Sequence, residues 1–224
     1  MTTGTAMATE ARVLKLLSWL SPAFPVGAFG YSHGLETAIR EGAVTTAPSL
    51  SDWIGGLIEF GSGWTDAVLL TAAWTAATAE DDAALADTAE LAQALAPSLE
   101  RRRETMAQGE AFLTAVRAWG PPLLDEAAYP VAVGATAGAA GIPLQLVLTA
   151  WLHAFAANLV SVAVRAVPLG QTDGVAVIAG LEPLILATAG RAAATSLDDL
   201  GSATFCSDIA ALRHETLETR LFIS

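Results

Sequence analysis

One cysteine, Cys206, and one lysine, Lys15, occur in 224 residues. A lone cysteine excludes an internal disulfide, as expected of a chain kept in a reducing compartment. The lone lysine falls in a helical stripe, so the glycine-rich GxxxxGK[ST] cradle for nucleotide phosphates is missing. GxSxG and HExxH are missing too, which removes the hydrolase elbow and the zinc-protease helix. The histidines number three, His33, His153 and His214, and lie far apart, whereas a structural zinc site wants four nitrogen or sulfur ligands at close spacing. We therefore assign no catalytic residue, no metal ligand and no cofactor. One weak metal possibility joins Cys206, Asp208 and His214, provided that the C-terminal segment folds.

Charge is also scarce. Only 15% of residues are charged, and 23 acidic against 11 basic side chains give a net charge of −12. Such a surface repels phosphate backbones and anionic lipid headgroups, which excludes nucleic acid and membranes as partners. Basic proteins and cations remain. Residues 1–11 show no basic region followed by an apolar run, so they read as a disordered N-terminus rather than a leader, and a cytoplasmic location is expected. The paired carboxylates Asp81-Asp82 and Asp198-Asp199 stand where helices start, which favours a dipole role over a catalytic one.

What the chain does have is apolar bulk, 53% of residues, much of it alanine. No segment alternates like a strand, and helix punctuation recurs throughout. Val13, Leu16, Leu17 and Leu20 form a first helical stripe that Ser21-Pro22 ends. A short helix over 35–41 closes at Gly42, and Ser49 with Asp52 offers a capping box for the next, whose stripe is Leu50, Trp53, Ile54, Leu57 and Ile58. Helices follow over about 64–79 and 82–96, then from a Ser98 cap to Arg117, and from Pro130 to Gly141. Residues 142–167 are apolar enough in length to cross a bilayer. They also carry Gln145, His153, Asn158 and Arg165, and no basic flank sets an orientation, so the segment reads as a buried central helix. His153 then belongs to the core or an interface. After a loop over 168–174, Thr172 caps a last long helix to about Ala194, kinked at Pro183. The expected fold is an all-α, single-domain helical bundle over 12–196 with a flexible C-terminal tail over 197–224. A chain this apolar should also self-associate, most simply as a homodimer.

Two stretches are too elaborate for plain connectors. The segment SPAFPVGAFGYSHGLE at 21–36 sets aromatics between prolines and glycines, which either plugs the core or offers a contact surface. The tail 208–224 carries Leu212, Leu217, Leu221 and Phe222, apolar anchors for which a monomer has no evident face, so the tail suits ordering on a partner.

These stretches resemble the urease accessory protein UreF family. The 21–36 block is similar to that family's N-terminal signature. YPVA at 129–132, GIPL at 141–144 and VPLGQTDG at 167–174 follow in the family's order, and DIA at 208–210, RHET at 213–216 and TRLF at 219–222 match its terminal block. Ile223, the Thr204-Phe205-Cys206 run and His33 depart from the usual pattern. The resemblance implies an all-helical, typically dimeric assembly factor and no enzyme. It would bridge the accessory protein UreD (UreH) and the GTPase UreG on urease apoprotein, and aid GTP-dependent nickel insertion. The nickel would be handled by the complex; the alternative is that the chain is itself a nickel-binding metallochaperone. Partner-binding residues on this reading are Tyr31, Ser32, His33 and Glu36, with Arg213, His214, Glu215, Arg220, Leu221 and Phe222 in the tail.

Overall fold

The computed structural model describes residues 2–167 and 169–223, with side chains described at residue 7 and from residue 9 onward. Met1, Pro168 and Ser224, which belong to the expected N-terminal segment, the 168–174 loop and the tail, lie outside the described residues. The described chain is helical, with no strand: α1 (Thr2–Trp19), α2 (Leu35–Arg40), α3 (Ala47–Phe60), α4 (Ser62–Thr78), α5 (Asp82–Ala94), α6 (Leu99–Val116), α7 (Tyr129–Ala139), α8 (Leu144–Ala166), α9 (Gln171–Ala193) and α10 (Phe205–His214).

Local chemistry accounts for most boundaries. Ser98 accepts the Arg101 N–H to start α6, and Asp81 accepts the Ala84 N–H to start α5. Pro130 sits in the first turn of α7, and Gly141 closes it with a left-handed φ of 62°. Two caps differ from expectation. Helix α3 is capped one turn earlier by a Thr46–Ser49 box, and α9 by the Asp173 carboxylate accepting the Gly170 N–H. Helix α9 also continues through Pro183, an exposed position where the lost N–H disturbs no buried partner.

Helix α1 begins at Thr2, in place of the disorder expected over residues 1–11. Its buried face is Leu16 and Trp19, while Leu14 and Leu17 face out. The stripe expected from spacing was rotated by the pull of Trp19, which meets Phe112 and Trp119 edge-on.

Helix α8 is the central helix, packing on α2, α3, α4 and α9 and burying Leu148, Leu152, Leu159 and Val162. His153 is exposed, outside the core. Helices α8 and α9 are both long and apolar enough to span a bilayer, but the α8 window is 50% buried inside the protein. Helix α7 lies almost backbone to backbone on α4, because a Cβ at Gly134 would run into the Leu70 carbonyl and one at Gly138 into the Trp74 carbonyl.

Candidate functional site

The two elaborate stretches meet each other. Gly34, at φ 75°, lets the chain turn from the 21–36 loop into α2, and it lets α10 lie against that turn. A Cβ there would sit 2.8 Å from the Ala211 nitrogen. Helix α10 therefore docks on α2 through a face of small residues, Ser207, Ala210 and Ala211, with His214 at its end. The chain after it turns back, so the Ile223 N–H donates to the Gly30 carbonyl at 2.7 Å. The expectation that the tail lacks an intramolecular face is thus corrected: it is folded onto the N-terminal block.

Buried charge holds this clasp. Glu36 is 1% exposed and accepts the Leu221 N–H at 2.9 Å and the Phe222 N–H at 3.0 Å. His214, fully buried, sets Nε2 3.2 Å from Glu36 and Nδ1 2.8 Å from Glu100 of α6. Glu100 also pairs with Arg220, and Arg40 with Glu36. Burial alone would push the Glu36 carboxyl up, but the Leu221 N–H, His214 and the Phe222 N–H outweigh it and hold the group below its ordinary value. Phe222 is buried beneath Arg165, whose guanidinium lies 4.7 Å from the ring centre and donates to the Phe29 carbonyl.

A second charged cluster lies just beneath. His33, with φ 53°, places Nε2 3.1 Å from Glu104, and Arg101 binds the other oxygen of the same carboxylate. Burial and then Arg101 push the His33 imidazole down towards its neutral form. Burial would raise Glu104, yet Arg101 and His33 hold it far below the carboxylate range. Asp66 of α4 faces Arg101 at 3.9 Å, and burial pushes it up to about 6.

The expected site residues are therefore brought together, but they divide in two. Ser32, His33, Glu36, His214 and Phe222 point inward and hold the clasp. Tyr31 and Glu215 are half-buried, and Arg213, Arg220 and Leu221 are exposed on its rim. Arg213 is held by both oxygens of Glu41, at 2.9 and 3.1 Å. The suggested trio of Cys206, Asp208 and His214 does not form a donor set, because Cys206 is exposed and His214 is committed to two carboxylates. No three His, Cys, Asp or Glu side chains converge as ligands among the described residues.

Glu100, Arg101, Glu104, Asp66 and Arg165 were missed from sequence. The signal was present in ERRRE at 100–104, a dense charge run in a chain with 15% charge, whose positions 100, 101 and 104 share a helix face.

Helix α10 carries its bulk on the other side. Phe205, Ile209 and Leu212, at one helix-face spacing, are 73%, 48% and 50% exposed, and Leu221 and Phe29 are exposed as well. The fold and site thus define an all-helical protein whose 21–36 block and C-terminal tail are locked together by buried charge, with an apolar stripe displayed outside the lock. The UreF family model matches residues 44–182. Urease accessory protein UreF of Rhodopseudomonas palustris is 52% identical over 96% of this chain and 94% of its own length. That of Rhizobium etli is 56% identical over 95% and 96%, and urease accessory protein UreF 1 of Brucella canis is 51% identical over 95% and 94%. The chain belongs to the urease accessory protein UreF family.

Proposed function

We propose that the chain acts in urease maturation as a non-catalytic scaffold. It holds UreD (UreH) and the GTPase UreG on urease apoprotein while nickel is inserted in a GTP-dependent step, working in the cytoplasm. The observation that carries this reading is the orientation of α10. Its small residues and His214 are spent on the clasp, while Phe205, Ile209 and Leu212 face solvent, the reverse of what a packing helix needs. A helix held rigidly from behind loses little further freedom on binding, so its apolar face is pre-organised for a partner. Self-association has a second face to draw on, since Val175 and Leu186 project from α9, whose window is only 33% buried.

Control of the partner's hydrolysis through its conformation fits the geometry better than an arginine finger. Arg213 and Arg220 are the tail's arginines, and both are tied down, to Glu41 and Glu100. The metallochaperone alternative has no specific observation in its favour.

Co-purification with UreD and UreG tests the scaffold. The intact chain should retain both, and a chain ending at Leu197 should lose at least one while keeping its helical circular dichroism. Retention of both by the truncated chain would overturn the reading.

A further inference from the structure

Under the clasp lies a cleft of about 80 Å³, bounded by α4, α5, α6, the start of α7 and the tail. Its apolar walls include Leu69, Leu95 and Pro130, and its polar lining includes Ser62, Asp66, Arg101 and Asp208. The charges in and around it do not balance. Asp66 and Glu104 share one guanidinium, that of Arg101, which lies close on Glu104, and the Asp208 side chain lines the same cleft. Asp66, 16% exposed at the side chain, is paired among the described residues with Arg101 alone, and the Glu104 carboxylate opposes its charge. The buried Ser62 hydroxyl, on the same wall, lacks a partner. Asp208, half-buried in the first turn of α10, is supported by the Ser202 hydroxyl. Buried polar groups left in this way are rare and costly, and a ligand that completes them relieves the cost.

We propose that this cleft receives the side chain of an arginine from a partner protein. The space equals two or three waters, the size of a guanidinium head. Aliphatic walls suit the stem, and two carboxylates with a hydroxyl suit a planar, five-donor fork. Because Ser202 and Asp208 belong to the tail, the cleft is complete only while the clasp is closed. The proposal deepens the scaffold reading and rests on it.

Both acids are pushed up by burial, Asp66 to about 6, with Arg101, Glu104, His33 and Asp208 as the titratable or charged groups nearby. An ionised Asp66 is the binding form, so affinity should fall about tenfold from pH 7 to pH 5.

The test uses the full chain labelled with carboxyl-¹³C aspartate and titrated with n-butylguanidinium at pH 7. Saturable shifts of the Asp66 and Asp208 carboxyl signals are expected, weaker by about tenfold at pH 5. In Asp66→Asn the Asp208 signal should no longer respond, and in Asp208→Asn the Asp66 response should weaken. No saturation, an equal response to tetramethylammonium, or a response to divalent metal salts alone would overturn the proposal. A chain that binds no guanidinium yet still co-purifies with UreD and UreG would defeat the cleft and leave the scaffold standing. Guanidinium binding by a chain that recruits neither partner would defeat the scaffold instead.

Discussion

Glu36 shows how one side chain can hold two distant parts of the sequence. It gathers two tail N–H groups, His214 and Arg40 around one buried carboxylate. Its folded acidity lies below the ordinary value near 4.5, so its contribution is fully present above that value and is lost as pH falls through the lower, folded one. The tail should therefore resist protease at neutral pH and become cleavable below about pH 4.5. Glu36→Gln keeps the shape but sets an NH₂ among donors, and should weaken tail docking at pH 7 by about 2–3 kcal/mol, read from urea unfolding. Asp66 runs the other way. Its folded value is raised from 3.8 to about 6, so its contribution is present below 3.8 and lost as pH rises through 6. Asp66→Asn should remove that decline and leave the protein more stable at pH 7 by on the order of 1–3 kcal/mol, in thermal unfolding across pH 4–7. A buried acid that weakens its own fold fits a group kept for binding.

Among the elements, legibility followed punctuation. The starts of α6 and α7, the end of α2 and the extent of α8 could be read from Ser98, Pro130, Gly42 and Pro143, because caps and prolines act within a few residues. The roll of a helix about its axis could not, as α1 shows, since it depends on what packs against it from elsewhere in the chain. Tail docking was hidden for the same reason. Of the apolar anchors read in the tail, Phe222 is buried while Leu212 and Leu221 stay exposed, and the rest of the seating falls to a glycine, two alanines and a histidine, whose role exists only opposite their partners. Glycines give the measurable consequence. Gly134→Ala and Gly109→Ala drive a methyl into the Leu70 and Ala127 carbonyls, and should each cost about 1–3 kcal/mol or more. Gly180→Ala meets nothing within 4 Å and should gain about 0.5–1 kcal/mol. Gly34→Ala should expose the tail to protease and also cost about 1 kcal/mol in the turn into α2, because its methyl strikes α10 and its φ of 75° strains an L side chain.

Across the whole molecule, six of the eleven basic groups are engaged internally: Arg40, Arg101, Arg165, Arg191, Arg213 and Arg220 each hold a carboxylate, a carbonyl or an aromatic ring, and the chain as a whole carries −12. On the proposed scaffold reading, such a surface would steer basic partners, and the apolar stripes on α10 and α9 would supply the contact area. The α9 face predicts a dimer at micromolar concentration by light scattering, reduced to monomer by Val175→Glu with Leu186→Glu.

The claim that the clasp exists to display the outer face of α10 is tested most directly by altering that face alone. Ile209→Asp with Leu212→Asp changes two exposed side chains that take no part in the clasp. Recruitment of UreD and UreG should be measured by co-purification, with proteolysis confirming that the tail stays docked. The account predicts a protected tail and recruitment reduced by at least tenfold. A protected tail with undiminished recruitment would contradict it.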